Sequence, residues 1–392
     1  MTPLSARLST RYDLAALRQE EFPWAESRIF LNHASTGPLP ERTRRAIDAF
    51  NADRADGMRI SDERLQGVLR EAREVAARLI NAEVGEIALA TNTSFGINLA
   101  ARMLPLEPGS IVLVSEGEFP ANVFPWRRLA DRGASAELLP LTAEGWPDEN
   151  AMIERMADPR VRVLAISHVQ FHTGYRADLD RLGRAARATG TWLVVDAIQA
   201  LGHLPFDVKE TPVDILACGG QKWLLSPWGS GFMYVRKELV PRLASPFAGW
   251  MAFDGTSDFT TLLNYDLELH RDARRFELVT LPFQDFLGMN RSLDLLDELG
   301  PANIEAHVAG IGEPVRAWAE RRGVRMISPT NGAGSGMLCL AAEDVPGGFE
   351  ALRDAGVVCS VREGALRLAP HCYNTIDELN RVAEILESAC KA

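Results

Sequence analysis

The sequence lacks the features that mark membrane-spanning, metal-binding and disulfide-rich proteins. No apolar run approaches the roughly 20 residues that a membrane-spanning helix requires, and the start of the chain has no apolar segment of signal-peptide length. The five cysteines form no CxxC pair and no His/Cys cluster with zinc-site spacing. We therefore expect no metal site and no disulfide framework, and a protein of the reducing cytoplasm rather than of a membrane.

Positive charge is scarce as well. The 392 residues carry a formal net charge of -11, whereas nucleic-acid binding requires clustered lysine and arginine. This argues against a nucleic-acid partner, although not against small anionic ligands, which local groups can hold. Only four of the 42 basic residues are lysines. Coding bias explains this most simply, yet a lysine inside a motif is conspicuous against such a background.

Short apolar runs alternate with helical patterns between residues 60 and 240. Apolar residues follow helical spacing over residues 65–79 and again over residues 177–188. Five other runs are short and almost wholly apolar, at 111–114, 163–166, 192–195, 214–217 and 231–235. Continuous rather than alternating apolar strands are typical of a sheet buried on both faces. The pattern therefore predicts an α/β fold with a mainly parallel sheet.

The pattern changes after residue 285 and indicates a second unit. Residues 286–300 have helical spacing and end at Gly300, with Pro301 just beyond. The remainder is typical of a smaller α+β unit closed by a helix over residues 376–390. We predict a large domain over residues 26–285, a smaller α+β C-terminal domain over residues 286–392, and an N-terminal segment, residues 1–25, that packs on the smaller domain.

Two charged residues follow buried strands, at the sheet edge where open α/β folds bind ligands. Asp196 comes directly after the run 192–195. A carboxylate there caps a helix, forms a structural ion pair, or holds a ring nitrogen protonated. Lys222 follows the next run and two glycines, among apolar neighbours. Burial lowers the pKa of a lysine, and the neutral amine can form an imine. The alternative is a lysine whose amine reaches solvent at the sheet edge.

Two further positions could bind anions. Residues 91–104 begin with hydroxyl and amide side chains and run into a helix, so Thr93 or Ser94 can cap it and leave free N–H groups for a phosphate. An ordinary capped helix is the alternative. Arg367 lies inside an apolar, strand-like run. It requires a partner, which is either a substrate carboxylate bound bidentately or a buried Asp or Glu.

Taken in order, these positions resemble the class V aminotransferase family of fold-type I pyridoxal-phosphate (PLP) enzymes. The order is a phosphate-site helix, Asp-x-x-Gln after a strand, a lysine 26 residues beyond Asp196, and an arginine near the C-terminus. The resemblance extends over residues 30–379, and its most specific strings are ISHVQFHTGYRADLDRLG, VVDAIQALGHLPFDV and GGQKWLLSPWGSGFMYV. It implies the α/β PLP-dependent transferase fold type I, with a large domain and a smaller α+β C-terminal domain.

For the catalytic centre, the resemblance implies that Lys222 carries PLP as a Schiff base and moves protons once substrate has displaced it. Asp196 would pair with the protonated ring nitrogen, which makes the ring an electron sink. Gln199 would hydrogen-bond the ring hydroxyl, and Phe119 would stack on the ring.

The resemblance also implies a phosphate site, a substrate site and a dimer. The residues that would hold the phosphate are Thr93, Ser94, Phe95 and Gln221, the last standing where many relatives have histidine. Thr280 matches a residue that reaches the phosphate of the neighbouring subunit, so a homodimer with shared active sites is implied. Arg367 would bind the carboxylate of an amino-acid substrate, and Asn32 and His33 border the substrate pocket.

The chain departs from the cysteine desulfurases of this family in two places. They have a histidine over the cofactor ring where this chain has Phe119, which can stack but cannot transfer protons. They also carry a nucleophilic cysteine on a loop that residues 357–368 are too few to form. We therefore expect Cys359 to be a small core residue and Cys372 to serve packing, and we do not expect a persulfide relay.

The side chain of the substrate is not specified by these motifs. Phe171 stands where several relatives have asparagine, and His172 beside it either faces the site or is structural. The apolar residues Phe119, Phe171, Trp223 and Trp228 suggest a non-polar side chain, or else serve the cofactor and the core. Residues 247–270 are predicted to form a loop at the mouth of the site.

We predict a PLP-dependent enzyme that acts on an amino acid, most simply an aminotransferase. The alternatives are a C–S lyase or cysteine desulfurase-like enzyme and an amino-acid epimerase, because all three begin by removing the same α-proton. A nucleotide-dependent dehydrogenase is disfavoured because the glycine-rich residues 331–336 precede an apolar strand rather than a helix. A non-catalytic binding protein of this fold is expected to lose Lys222 or Asp196, and both are present.

Overall fold

The computed structural model describes residues 12–58, 60–278 and 280–390. The strands are β1 (Ile29–Phe30), β2 (Ile87–Leu89), β3 (Ile111–Ser115), β4 (Ser135–Leu139), β5 (Val161–Ser167), β6 (Trp192–Asp196), β7 (Ile215–Gly219), β8 (Gly231–Val235), β9 (Leu338–Ala341), β10 (Val357–Val358), β11 (Ser360–Arg362) and β12 (Ala365–Leu368). The α-helices are α1 (Leu14–Glu21), α2 (Glu41–Ala55), α3 (Asp62–Leu79), α4 (Thr93–Met103), α5 (Phe124–Arg127), α6 (Glu149–Arg155), α7 (Leu179–Thr189), α8 (Phe283–Leu299), α9 (Pro301–Ile311), α10 (Glu313–Arg322), α11 (Gly348–Asp354) and α12 (Ile376–Ala389).

A seven-stranded sheet forms the centre of the large unit, in the order β2-β8-β7-β6-β5-β3-β4. Only β8 runs against its neighbours, and the other pairs within the sheet are parallel. The mainly parallel sheet is therefore confirmed, and each of the five apolar runs forms one of its strands. The sequence analysis did not identify the two edge strands: β2 is three residues long, and β4 mixes polar and partly exposed positions.

Both faces of this sheet are buried, which explains why its strands are continuously apolar. Alternate residues of one strand enter different cores: Leu164 and Ile166 of β5 pack on the side of α3, α7 and α8, whereas Val163 and Ala165 pack on the side of α4. Every residue of β3, β7 and β8 is buried. The carboxyl ends of β5, β6 and β7 consequently meet at one edge, supported by packing on both sides.

The C-terminal unit is built on a three-stranded antiparallel sheet in the order β11-β12-β9. Its own core contains Trp318, Leu340, Leu366 and Leu386, contributed by the sheet and by α10 and α12. The expected helix over residues 286–300 is α8, which begins at Phe283 and ends before Gly300. α8 packs along α2 and α3 and contributes to the core of the large unit.

The N-terminal segment contacts the C-terminal end of the chain. The Tyr12 hydroxyl donates to the carbonyl of Cys372 (2.9 Å). Arg18 donates to the carbonyl of Tyr373 and to Glu378, both at 2.8 Å. Residues 1–11 of the predicted packing segment lie outside the described part of the chain.

Two features of other protein classes are absent from the described residues. No helix among the described residues is long and apolar enough to cross a membrane. Within residues 12–58, 60–278 and 280–390, no three His, Cys, Asp or Glu side chains are grouped so as to hold a metal ion.

Candidate active site

The residues expected to carry catalysis converge at the carboxyl ends of β6 and β7. Asp196 is the last residue of β6, and Lys222 lies three residues beyond the end of the neighbouring strand β7. The two side chains interact electrostatically, since each shifts the pKa of the other. The parallel pairing of β6 with β7 is what brings together two residues that are 26 positions apart in the chain.

Asp196 is a buried carboxyl with few partners. One of its oxygens accepts a hydrogen bond from the amide of Ile198 (2.9 Å). Burial raises its pKa to about 7, although the Ile198 amide and the Lys222 amine act in the opposite direction. Such a group is well placed to share a proton with a basic ring nitrogen, because a cationic partner would compensate the cost of its burial.

Lys222 offers an amine without a partner. Burial lowers its pKa to about 8, and Asp196 only partly opposes this shift. In the described part of the chain, the amine has no hydrogen-bond or ion-pair partner, and it lies 5.6 Å from the centre of the Phe119 ring. The lowered pKa gives Lys222 a larger neutral fraction near neutral pH than a solvated lysine has, and the neutral amine is the form that imine formation requires.

Glycines allow the loop of Lys222 to pack closely. A Cβ atom at Gly220 would lie 2.7 Å from Ser230 Oγ and 2.8 Å from Ser226 Cβ. A Cβ atom at Gly219 would approach the amide of Thr93 to 3.3 Å. The two glycines before Lys222 thus place its loop directly against the start of α4.

The start of α4 corrects one prediction. The capping residue is Asn92, whose side chain accepts a hydrogen bond from the amide of Phe95 (2.9 Å), rather than Thr93 or Ser94. Asn is about as effective a helix cap as Ser or Thr, so the sequence TNTS (residues 91–94) does not indicate which of these residues is the cap. The Thr93 hydroxyl instead accepts from the amide of Gly219 (2.9 Å) and joins the helix to the Lys222 loop.

The capping hydrogen bond of Asn92 determines which backbone amides at the start of α4 remain free to bind an anion. The amide of Phe95 is occupied by Asn92, whereas Thr93 and Ser94 are the first two residues of the helix and have no carbonyl partner within it. Ser94 is exposed, and Gln221 is half-buried on the adjacent loop. The positive end of α4 therefore faces the Lys222 loop with two free amides.

Gln199 retains one donor for a ligand. Its side-chain nitrogen donates to the carbonyl of Ala34 (2.9 Å), and its oxygen accepts from the indole of Trp223 (2.8 Å). A primary amide has two N–H groups, so one is left. Trp223 is fully buried and stacks on His203 at 3.7 Å between ring centres, which places it in the core rather than along a substrate pocket.

Asn32 and His33 differ in what they can offer a substrate. The side-chain oxygen of Asn32 is buried and has no hydrogen-bond partner. His33 lies 2.7 Å from the carbonyl of Ala369 through Nδ1 and 2.9 Å from the Tyr373 hydroxyl through Nε2. Burial holds the pKa of His33 well below its usual value. His33 is thus a neutral histidine whose two ring nitrogens are both used inside the protein.

Arg367 is a buried cation without a carboxylate. It is 2% exposed and donates to the carbonyl of Phe171 (2.6 Å) and to the hydroxyl of Ser35 (2.8 Å), while its Nε has no partner. Burial lowers its pKa to about 10. Among the described residues no Asp or Glu pairs with it, so the structural alternative of a buried carboxylate partner is not found. Such a guanidinium is a ready site for a ligand carboxylate.

Phe119 and Phe171 form the apolar side of the site. Their rings pack edge to face, with centres 5.3 Å apart, and Phe119 is 45% exposed. His172 follows Phe171 and is half-buried, with an Nδ1 atom that has no partner. Burial lowers the pKa of His172, and it lies near both Glu363 and Arg367.

The sequence analysis missed Glu118, which supports the turn of Phe119. This buried carboxyl accepts hydrogen bonds from the amide of Ser167 (2.7 Å), the Ser167 hydroxyl, Gln170 (2.7 Å) and Asn122 (3.1 Å). Burial raises its pKa, and its charge in turn raises the pKa of Asp196. Its position in the sequence, three residues after a buried strand, could have identified Glu118 as a candidate, because Lys222 has the same position relative to its strand.

Two other predictions concern groups outside this cluster. Thr280 is exposed and accepts a hydrogen bond from the indole of Trp250 (3.0 Å). Among the described residues, it forms no hydrogen bond with the other predicted site residues. Burial raises the pKa of Cys359 to about 12 and also raises that of Cys372. Neither thiol has the lowered pKa that nucleophilic cysteines show.

Comparison with known proteins identifies the relatives of this chain. The family described as aminotransferase class-V matches residues 29–347. An isopenicillin N epimerase of Streptomyces clavuligerus is 30% identical over 390 residues, which cover 93% of this chain and 98% of the epimerase. The "Uncharacterized aminotransferase YcbU" of Bacillus subtilis is 29% identical over 366 residues, 93% and 95% of the two chains. A probable cysteine desulfurase of Methanothermobacter thermautotrophicus is 28% identical over 397 residues, 94% and 96% of the two chains.

Solved structures share the whole fold. The cysteine desulfurase CsdA of Escherichia coli superposes with a TM-score of 0.84 at 24% identity, covering 97% of this chain and 99% of CsdA. C-DES, solved with glycine covalently linked to its PLP cofactor, superposes with a TM-score of 0.84 at 20% identity, covering 94% and 99%. The predicted α/β fold of type I is therefore confirmed.

Proposed function

Because the chain belongs to the class V aminotransferase family, we propose that it is an aminotransferase whose cofactor is carried by Lys222. Family membership confirms PLP as the cofactor and chemistry on an amino acid as the activity. The observation that supports the finer proposal is the placement of an unpaired amine, a buried carboxyl and an unpaired guanidinium around one site. These groups belong to Lys222, Asp196 and Arg367.

The residues at the strand ends fit this cofactor. Asp196 would hold the proton of the ring nitrogen, and the remaining N–H of Gln199 would bind the ring hydroxyl. Phe119 would cover the ring, and Lys222 would hold the cofactor as a Schiff base. The phosphate would lie against the groups at the start of α4 and the adjacent loop: Thr93, Ser94, Phe95 and Gln221. When bound, PLP supplies an electron-accepting ring for the pair left by the α-proton.

Lys222 is the proposed proton carrier. An amine with a pKa of about 8 can accept a proton at Nζ and release it again near neutral pH. Arg367 would bind the α-carboxylate of the substrate, and its guanidinium is already oriented by Ser35 and the Phe171 carbonyl. Phe119 and Phe171 would exclude water from the reacting carbon, which limits exchange of the transferred proton.

The surroundings of Lys222 favour transamination over epimerisation and over a desulfurase relay. Epimerisation requires a second acid or base on the opposite face of the substrate carbon, and the side chain expected over the ring is Phe119, which transfers no protons. A desulfurase relay requires an activated thiol, whereas burial raises the pKa of Cys359 to about 12. A single base that returns the proton to another carbon is sufficient for transamination.

We also propose a homodimer with shared active sites. The support is a set of large apolar side chains that are individually exposed, among them Trp250, Leu263 and Tyr265. Exposed apolar surface of this kind is typical of interfaces. Thr280, hydrogen-bonded to Trp250, would reach the phosphate bound by the partner. The cytoplasmic location stays a prediction from the sequence.

The test is the visible absorbance of the purified, PLP-loaded protein as amino acids are added singly. If an amino acid removes the cofactor band and a 2-oxo acid restores it, the enzyme is an aminotransferase. If the band only shifts while pyruvate or sulfide accumulates, elimination is the activity, and loss of optical rotation without products indicates epimerisation. Lys222→Ala is expected to abolish turnover with every substrate, and substantial remaining activity would contradict the role of Lys222.

A further inference from the structure

A second arginine lies beside Arg367 and reaches the same hydroxyl group. The guanidinium of Arg362, on β11, donates to Ser35 Oγ at 3.4 Å, and that of Arg367, on β12, donates to it at 2.8 Å. Both arginines also lower the pKa of Lys222. Two cations therefore converge on the region that faces the amine of Lys222.

The hairpin between β11 and β12 places both arginines on one face. The register pairs Arg362 with Ala365 and Ser360 with Arg367, so Arg362 and Arg367 are diagonal neighbours on the same side of the hairpin. The two turn residues, Glu363 and Gly364, have φ angles of 45° and 75°. A two-residue turn with both φ values positive fixes the register of an antiparallel hairpin. The pairing of the two cations is thus built into the fold.

Neither cation is neutralised by the described residues. Arg362 is exposed, whereas Arg367 is buried. Two buried arginines elsewhere have carboxylate partners: Arg73 pairs with Glu277 at 2.6 Å, and Arg18 pairs with Glu378 at 2.8 Å. Arg362 and Arg367 form no such ion pair, although Glu363 is adjacent to Arg362 in the chain. Like charges held together without counterions repel each other, so a ligand that supplies negative charge is favoured here.

One α-carboxylate satisfies one guanidinium bidentately and leaves the second free. We propose, on the basis of the function proposed above, that the substrate is an amino acid with a second anionic group, and that Arg362 binds that group while Arg367 binds the α-carboxylate. The second group is a carboxylate, a sulfinate or a phosphate, which share this recognition chemistry. Two of the four apolar residues that suggested a non-polar substrate side chain no longer support that suggestion, because Trp223 lies in the core and Trp228 is 68% exposed.

The test compares acidic amino acids with their neutral counterparts. The PLP-loaded protein is titrated with L-glutamate and L-glutamine, L-aspartate and L-asparagine, and O-phosphoserine and serine, while absorbance is recorded. The acidic member of at least one pair is expected to bind about 10- to 100-fold more tightly, the factor that corresponds to roughly 1.5–3 kcal/mol for a hydrogen bond to a charged group. The phosphoserine pair distinguishes a phosphate from a carboxylate.

Variants assign the preference to one side chain. Arg362→Gln is expected to remove the preference and leave affinity for the neutral amino acid unchanged, whereas Arg362→Lys keeps most of it. Arg381→Gln, on the exposed surface of α12, is the matched control and is expected to change nothing. Calorimetric titration with glutarate and butyrate gives a readout independent of turnover: glutarate is expected to bind more tightly, and Arg362→Gln to abolish the difference.

Two results would overturn the inference. One is equal affinity for the acidic and neutral members of every pair. The other is an Arg362→Gln variant that weakens both members alike, which would place Arg362 on the α-carboxylate. If neutral amino acids change the absorbance and acidic ones have no advantage, only this inference fails. If no amino acid changes it, the proposed function fails, and the glutarate titration still decides the role of Arg362.

Discussion

Replacing Arg367 with methionine should separate substrate binding from stability. The guanidinium is buried and has no carboxylate partner among the described residues, so its removal strands no opposite charge. Arg73 is the matched contrast. It is also buried, but it pairs with Glu277, which accepts a further hydrogen bond from the amide of Leu89 (3.0 Å). Arg73→Met therefore leaves an uncompensated buried carboxylate.

The magnitudes follow from the surroundings of each arginine. Burial lowers the pKa of Arg367 from its ordinary value by more than two units, to about 10. At about 1.4 kcal/mol per pKa unit, holding its charge costs the folded protein on the order of 3 kcal/mol. The hydrogen bonds to Phe171 and Ser35 offset that cost, at roughly 1.5–3 kcal/mol each. Arg367→Met is thus expected to lower the free energy of unfolding by no more than about 3 kcal/mol, whereas Arg73→Met, which leaves a buried charge unpaired, is expected to lower it by about 3–5 kcal/mol.

The assay combines denaturant unfolding of the PLP-loaded protein with an amino-acid titration. Arg367→Met is expected to weaken amino-acid binding by at least about 100-fold, because two charge-assisted hydrogen bonds are lost. Arg73→Met is expected to leave that affinity within about threefold while stability falls. If Arg367→Met destabilises the protein as much as Arg73→Met does, or binds amino acids normally, Arg367 has a structural role and the reasoning is wrong.

Two further predictions concern the buried carboxyl groups. In the cofactor-free protein, burial raises the pKa of Asp196 from 3.8 to about 7, so the buried carboxyl destabilises the folded state increasingly as the pH rises towards 7. Asp196→Asn should therefore raise the free energy of unfolding more at pH 8 than at pH 4. Equal gains at the two pH values would contradict the shift. Glu118→Gln keeps the shape of a group that accepts four hydrogen bonds but adds donors where donors already point. Glu118→Gln should weaken PLP binding about 10-fold or more, because it loosens the turn of Phe119. The affinity is measured by fluorescence titration of the cofactor-free protein, with Glu116→Gln as the control. An unchanged affinity would contradict the supporting role of Glu118.

The sequence predicted those parts of the site that depend on strand ends. Asp196 and Lys222 each follow a continuous apolar run, and such runs become strands buried on both faces, so their carboxyl ends had to meet at one edge. The same reasoning located β3, β5, β6, β7 and β8. It failed for β4, because an edge strand with exposed polar residues has no continuous apolar pattern.

Other parts of the site depend on contacts that local patterns do not specify. Asn92 caps α4, whereas the Thr93 hydroxyl accepts a hydrogen bond from the amide of Gly219, a residue distant in the sequence. Glu118 is important because Ser167 and Gln170, some fifty residues later, donate to it. The convergence of Arg362 with Arg367 results from a hairpin register fixed by two left-handed turn residues, and a Glu-Gly pair alone did not reveal it.

The contacts between the two ends of the chain have a consequence for biosynthesis. Ser35 and His33, near the start, reach their partners only when Arg367, Ala369 and Tyr373, near the end, are present. Contacts of such long sequence separation form late, after the central sheet has assembled. A nascent chain on the ribosome can therefore complete the sheet that bears Asp196 and Lys222 before Arg362 and Arg367 have been synthesised. A chain truncated before Arg367 should therefore lose the proposed carboxylate site together with part of the core of the C-terminal unit, to which α12 contributes, while the strands of the central sheet are all still present.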